Sequence, residues 1–125
     1  MTQPGGKTHR GNLGKRGEDI AVAHLTRGGY RILDRNWRCA RGEIDIVARE
    51  GGDLVFIEVK TRSSLAYGHP LESITLVKLA RLRGLALAWC QAHPSVSGAL
   101  RIDAVAVLAP ENEPYRVEHV AGVFS

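Results

Sequence analysis

Little in this chain points to zinc, disulfide or membrane chemistry. Its two cysteines, Cys39 and Cys90, lie fifty-one positions apart and do not form the two closely spaced ligand pairs that a zinc site needs. The five histidines are scattered along the chain. No apolar run approaches the roughly 20 residues of a membrane-spanning helix. The sequence therefore predicts two free thiols and no membrane association.

We also expect no secretory signal peptide at the amino terminus. The first residues, MTQPGGKTHRGN, are polar and basic and contain no apolar signal-peptide core, so we expect a cytoplasmic protein. Hydrophobic residues make up 44% of the chain and charged residues 24%, which is typical of a globular protein. We expect one domain over residues 1–125, with residues 1–12 as a flexible basic tail.

Positive charge is concentrated near the amino terminus. Residues 1–41 contain nine Lys or Arg and three acidic side chains, a net charge of +6 in a chain whose total is +4. A basic region of this kind suits a polyanionic partner such as nucleic acid. A basic surface that serves only solubility is the alternative that charge alone leaves open.

The order of periodic segments predicts an α/β fold. Apolar positions recur with helical spacing in two segments and with a period near two in five. A helix that joins two strands favours a parallel pair, so we expect a mixed central β-sheet flanked by helices, in the order α-β-β-β-α-β-β. The predicted elements are a helix at Leu13–Arg27, a strand at Tyr30–Trp37, a hairpin within residues 42–62, a helix at Glu72–Ala92, and strands at Leu100–Leu108 and Tyr115–Ala121.

The predicted hairpin, GEIDIVAREGGDLVFIEVKTR, carries charges inside apolar strands. If Gly51 and Gly52 form the turn, paired residues have numbers summing to 103. That register places Asp45 opposite Glu58, and Glu43 opposite Lys60. Directly opposed side chains have Cβ atoms about 4.5–5.5 Å apart, so the two carboxylates repel unless positive charge lies between them.

Two interpretations of this charge cluster remain open at the level of the residues. Asp45 and Glu58 could bind a divalent metal through hard oxygen ligands, while Lys60 orients or helps to deprotonate a water that attacks phosphorus. Alternatively, Lys60 neutralises the carboxylates in a solvated surface network. In either case Glu43 is expected to position Lys60 rather than to bind metal.

A further carboxylate lies on the first predicted helix. Glu18 shares an apolar stripe with Ala21, Val22 and Leu25. Its burial is costly unless it is paired or metal-bound. The alternative is that Glu18 lies near the helix start, where the helix dipole favours an acid.

Three cations are candidates for contact with nucleic acid. Arg38 and Arg41 belong to the basic region and precede the hairpin, and Lys78 lies at the head of the second predicted helix. For Lys78, a solvated surface position is the alternative.

The combination of Glu18 on a helix, Asp45 on a strand and Glu58-Val59-Lys60 on the next strand resembles the PD-(D/E)xK nuclease constellation. The blocks NWRCARGEIDIVA, VFIEVKTR, YGHP and RIDAVAV resemble, more closely, the YraN-type family of predicted endonucleases. The resemblance extends from Leu13 to Leu108. The proline of the superfamily pattern is replaced by Ile44.

This resemblance implies a restriction-endonuclease-like core and hydrolysis of nucleic acid that depends on Mg²⁺ or Mn²⁺. It implies that Asp45, Glu58 and the Val59 carbonyl bind the metal, that Lys60 is the catalytic lysine, and that Glu18 completes the site. The family is similar to archaeal Holliday junction resolvases, which implies DNA rather than RNA as partner, branched DNA in particular, and a homodimer. The alternatives are a non-catalytic nucleic-acid-binding module or a protein-docking scaffold with the same fold.

Overall fold

The computed structural model describes residues 5–66 and 68–123 and, from Leu13 onward, their side chains. Residues 1–4 of the predicted tail and Tyr67 of the YGHP block lie outside the described residues, and residues 5–12 of that predicted tail belong to the first helix. The order α-β-β-β-α-β-β is confirmed. The elements are α1 (Gly5–Arg27), β1 (Arg31–Cys39), β2 (Gly42–Glu50), β3 (Asp53–Arg62), a 3-10 helix (Pro70–Ser73), α2 (Leu76–Ala92), β4 (Ala99–Leu108) and β5 (Arg116–Val120).

The strands form one five-stranded mixed sheet in the order β1-β2-β3-β4-β5. Strands β3 and β4 are parallel over their whole length, from Asp53–Ala99 to Arg62–Leu108, as the helical connection between them predicts. The other neighbouring strands are antiparallel. Strand β3 is therefore held by hydrogen bonds on both sides in the middle of the sheet.

The β2–β3 hairpin has the predicted register only over part of its length. Pairing runs from Glu50–Asp53 at the turn to Ile46–Ile57, and Gly51 has the left-handed φ of 58° that a tight turn requires. The described pairing stops there. Asp45 and Glu58 are not ladder partners, and neither are Glu43 and Lys60, so this part of the prediction is wrong.

Each helix covers one face of the sheet. Residues of α1 pack on Ile46, Ile57 and Val105, whereas residues of α2 pack on Phe56 and Ile102. Side chains of β3 alternate between these two cores, as a strand buried on both faces requires. Within residues 5–66 and 68–123, neither helix has the length and apolar composition needed to cross a bilayer.

The second helix begins later than the prediction of Glu72. Thr75 is its amino-terminal cap, because its side-chain oxygen accepts a hydrogen bond from the Lys78 backbone N–H at 3.2 Å. Ile74, just before the cap, has an extended backbone, and Pro70–Ser73 forms a separate 3-10 helix. The apolar spacing predicted the helix, but it did not predict that the Thr75 cap separates α2 from the preceding 3-10 helix.

Arg101 and Asp103 are part of a buried polar network rather than an isolated ion pair. Asp103 is fully buried, and its carboxylate accepts hydrogen bonds from the Tyr30 hydroxyl, Arg101 Nε and the Gly122 backbone N–H, each at 2.9 Å. His119 Nε2 lies 2.8 Å from the same carboxylate. Burial opposes ionisation most, but the bonds from His119, Arg101, Gly122 and Tyr30 together hold the pKa of Asp103 well below its usual range.

Replacing Asp103 by asparagine is expected to lower the free energy of unfolding at neutral pH by about 3 kcal/mol, because Arg101 loses its buried anionic partner. A carboxyl with a depressed pKa stabilises the fold above its unfolded-state pKa, and this contribution is lost as the pH falls. Urea unfolding should therefore show the difference between wild type and variant shrinking below about pH 4.

The matched control is Asp53→Asn. Asp53 also contacts Arg101, at 2.9 Å, but its side chain is 39% exposed. Its replacement should cost less than about 1 kcal/mol. Equal losses for the two variants would contradict a special role for the buried carboxylate.

Candidate active site

An open groove of about 1040 Å³ runs between α1 and the edge formed by β1, β2 and the end of β3. It brings together most of the predicted site residues: Glu18, Asp45, Val59 and Lys60 all line it. Glu58 joins the cluster through its contact with Lys60. The remaining lining residues are Leu13, Gly14, Lys15, Asn36, Arg38, Glu43, Thr61, Arg62 and Ser63.

Asp45 lies where the strand pairing is interrupted on both sides of β2. Its neighbours Ile44 and Ile46 pair with Trp37 and Arg35 of β1, but Asp45 itself has no ladder partner there. The two neighbours also pack into cores on opposite faces, although residues two apart in a regular strand share a face. The chain is therefore locally irregular at Asp45.

The Asp45 carboxylate occupies the opening that this irregularity leaves. Its Oδ2 accepts a hydrogen bond from the Val59 backbone N–H at 2.8 Å, so the side chain bridges from β2 to β3 where regular pairing has stopped. Asp45 is half-buried. The contact ties the carboxylate to the segment that carries Glu58 and Lys60.

Burial and neighbouring negative charge both disfavour the ionised form of Asp45. Burial raises its pKa most, the charge of Glu58 adds to this, and the bond from Val59 only partly opposes them, so that the pKa of Asp45 rises to about 7. Glu18 and Glu43 contribute further repulsion. Three carboxylates thus act on Asp45, and bound positive charge beside it would be favourable.

Lys60 offsets only part of this charge. Its Nζ lies 3.2 Å from Glu58 Oε2, and both side chains are largely buried. The two residues are separated by one position in β3 and therefore face the same side of the sheet. This ion pair agrees with the surface-network interpretation for Glu58, whereas the Asp45 carboxylate takes its hydrogen bond from the Val59 backbone N–H.

Glu18 is paired within the protein. Arg35 Nη2 lies 2.8 Å from its Oε1, and Asn36 Nδ2 donates to its Oε2 at 2.7 Å. Because α1 begins at Gly5, Glu18 is not at the start of the helix, and the interpretation based on the helix dipole is wrong. Helix α1 can pack closely against β3 because residue 17 is glycine. A Cβ at Gly17 would overlap the Thr61 side chain of β3.

Glu43 does not position Lys60 as predicted. Its Oε2 instead accepts a hydrogen bond from Asn36 Nδ2 at 3.1 Å and lies 3.6 Å from Arg38 Nε. Because the β2–β3 pairing ends before this level, Glu43 stays with β1 rather than reaching across to β3.

Asn36 and Arg35 are site residues that sequence reasoning missed. In the sequence, Arg35 was one of the basic residues of the amino-terminal region. No local sequence pattern predicts that it contacts Glu18 and Asp19 of α1. Asn36 carried a weak signal, since asparagine is the non-glycine residue best suited to left-handed backbone. Its φ is 53° in the middle of β1.

The predicted nucleic-acid-binding cations are not all in the groove. Arg38 lines it, with a side chain that is 77% exposed. Arg41 lies beside α2, where a Cβ at Gly84 would be 3.3 Å from its Nη1. Lys78 lies in the first turn of α2, and neither it nor Arg41 is among the groove-lining residues.

The predicted donor set is of a chemical type that suits a hard cation retaining water ligands. Among the described residues, no three His, Cys, Asp or Glu side chains converge in a way that would hold a metal ion by themselves. The predicted set, however, contains two carboxylates and one backbone carbonyl. Mg²⁺ characteristically binds through one or two carboxylates and keeps several waters.

The fold and the groove define an α/β domain with a carboxylate-rich cleft beside an interrupted hairpin. Residues 17–107 match the profile described as "Uncharacterised protein family UPF0102", and the chain belongs to this family. The UPF0102 protein of Arthrobacter sp. (strain FB24) is 56% identical over 111 residues, covering 89% of this chain and 94% of the relative. That of Clavibacter michiganensis subsp. michiganensis (strain NCPPB 382) is 53% identical over 113 residues, covering 90% and 96%.

These descriptions name a family and no activity. The predicted family membership is confirmed, and it carries no activity with it. The likeness to the PD-(D/E)xK nucleases and to Holliday junction resolvases stays a prediction.

In metal-free protein, Asp45→Asn is expected to raise the free energy of unfolding by about 1 kcal/mol near pH 8, because it removes a repelled charge. A carboxyl with a raised pKa destabilises the fold progressively as the pH rises above its unfolded-state value, so the gain should disappear below about pH 4. The same variant should lose the stabilisation that Mn²⁺ gives to the wild type. Melting curves with metal and with chelator measure both effects.

Glu113→Gln, in the exposed loop before β5, is the control and should change neither quantity. A neutralised surface network predicts the opposite pattern. In that case Asp45→Asn leaves the stability unchanged or lowers it, and Mn²⁺ has no effect on the wild type.

Proposed function

We propose that this protein is a metal-dependent nuclease that hydrolyses phosphodiester bonds in nucleic acid, with DNA as the favoured substrate. The observation that carries the proposal is the half-buried Asp45 carboxylate, which is repelled by Glu58 and faces a groove rimmed by cations. Such a site gains most from a bound cation and an anionic substrate.

Under this proposal, Asp45, Glu58 and the Val59 carbonyl hold Mg²⁺ or Mn²⁺. When bound, the cation would polarise the phosphate and offset the negative charge that develops on it. Lys60, already held 3.2 Å from Glu58, orients or helps to deprotonate the attacking water and stabilises negative charge. Glu18 assists from α1.

The cations at the groove suit the phosphate backbone. Lys15, Arg38 and Arg62 line the groove with Lys60, and Arg41 and Lys78 extend the positive charge toward α2. No aromatic side chain is among the described lining residues, and Trp37 packs with the core on the α2 side. Contacts of this kind bind backbone without reading bases, so we propose recognition that is independent of sequence.

The resemblance to PD-(D/E)xK nucleases supports the same assignment of Asp45, Glu58 and Lys60. It also suggests branched DNA as the substrate and a homodimer as the assembly, which we include in the proposal. The second candidate is a non-catalytic nucleic-acid-binding module. The Glu58–Lys60 ion pair favours it, because a lysine engaged with a carboxylate is also what a structural network would contain.

Glu58→Gln and Lys60→Ala should each reduce Mg²⁺-dependent cleavage of DNA by roughly 100-fold or more, while leaving the protein folded. Lys60→Ala should still bind DNA in Ca²⁺, which occupies oxygen sites. Cleavage is measured on linear and branched DNA, with Glu113→Gln as control. A wild type that binds DNA but cleaves none of these substrates with Mg²⁺ or Mn²⁺ would leave the binding module as the better account.

Binding to DNA should be strongly dependent on salt. Each lost phosphate contact changes the log–log slope of affinity against salt by about 0.9, so Arg38→Ala with Arg41→Ala should flatten it by up to about two units. The single variants show which surface contacts DNA, because Arg38 lines the groove and Arg41 lies beside α2. Arg116→Ala, exposed on β5 and outside the groove, is the control. An unchanged slope in the double variant would remove both arginines from the interface.

A further inference from the structure

Asn36 combines an uncommon backbone conformation with two contacts to carboxylates. It has a φ of 53° within β1, at the level of Asp45, where neither residue has a ladder partner. Its Nδ2 donates to Glu18 Oε2 at 2.7 Å and to Glu43 Oε2 at 3.1 Å. A left-handed residue inside a strand is retained where the surroundings require it, and such residues concentrate at functional sites.

The amide joins two elements that are distant in sequence. Glu18 lies on α1 and Glu43 on β2, and the left-handed turn of the backbone directs the Asn36 side chain to both. An uncharged donor satisfies both oxygens without adding a positive charge to the groove. Lysine or arginine in this place would supply hydrogen bonds but would also compete with a cation for the carboxylates.

Both oxygens of Glu18 are consequently occupied. Arg35 engages Oε1 and Asn36 engages Oε2, so the side chain is held at two points in one orientation. A carboxylate held in this way is well suited to act from a fixed position and poorly suited to reorganise as a direct metal ligand.

We propose that Asn36 is a positioning residue, which holds Glu18 and Glu43 together at the groove wall beside Asp45. This inference rests on the proposed function, since the position matters for the hydrolysis. It assigns Glu18 a role that depends on Asn36, and it makes the left-handed backbone of β1 part of the site.

The test variants of Asn36 are chosen so that the left-handed backbone at this position is kept. Asn36→Gly keeps access to the left-handed conformation and removes the amide, whereas Asn36→Asp tolerates that conformation but adds a third carboxylate. Asn112 provides a matched control, because it also has a positive φ, of 63°, and lies exposed in the loop between β4 and β5.

Asn36→Gly should lower kcat for Mg²⁺-dependent cleavage by about tenfold, as loss of a supporting hydrogen bond does at other metal sites, with KM nearly unchanged. Asn36→Asp should be lower still. Asn112→Gly and Asn112→Asp should retain wild-type kinetics. Adding Asn36→Gly to Glu18→Gln should cause little further loss, since residues that act as a unit are not additive.

A second measurement needs neither metal nor substrate. In metal-free protein, NMR should show that the Asn36 side-chain amide protons exchange with solvent more slowly than those of Asn112, and Glu18→Ala should remove that protection. Exchange as fast as that of Asn112 would overturn the bridge and the proposal with it.

The kinetic outcomes separate the two claims. If the wild type cleaves but Asn36→Gly retains its kcat, or if its loss multiplies with that of Glu18→Gln, the positioning role is wrong and the proposed function stands. If the wild type cleaves no nucleic acid, the proposed function is wrong and the positioning role falls with it.

Discussion

The interruption of strand pairing at Asp45 is the constraint on which the site depends. A continuous ladder would pair Asp45 with both neighbouring strands and close the sheet at this level. Instead, the pairs on either side hold β2 in place, and the Asp45 carboxylate takes the Val59 N–H across the opening. The long parallel pairing of β3 with β4 keeps Glu58 and Lys60 fixed while the other edge opens.

Asp103 and Asp45 lie in the same sheet, but their surroundings shift their pKa values in opposite directions. Asp103 is fully buried, but its contacts with His119, Arg101, the Gly122 backbone N–H and Tyr30 outweigh that burial and depress its pKa. Asp45 is half-buried and receives one backbone bond, which is not enough to offset its burial and, next in size, the repulsion from Glu58, so its pKa is raised. Hydrogen bonds outweigh the cost of burial at Asp103, whereas at Asp45, which lines the groove, the single bond from Val59 does not. That contrast is the physical reason why the proposed chemistry is assigned to Asp45.

The parts of the fold that follow local periodicity could be predicted from sequence. Alternation on either side of Gly51-Gly52 gave the hairpin and its register near the turn, and the apolar helix before β4 gave the parallel pair. The break at Asp45 could not be predicted, because it depends on a side chain competing with the ladder for a backbone N–H. The bonds of Asn36 and Arg35 to α1 were also hidden, since they join residues far apart in sequence.

Calorimetric titration of Mn²⁺ into the metal-free protein tests the central claim, that Asp45 and Glu58 bind a cation, most directly. Because the pKa of Asp45 lies near 7 and a metal ligand must be deprotonated, binding should release protons, with more released at about pH 6 than at about pH 8. The release is obtained by repeating each titration in buffers of different ionisation enthalpy. Binding with this pH dependence supports the account. Absence of binding, or binding without proton release at either pH, would contradict it.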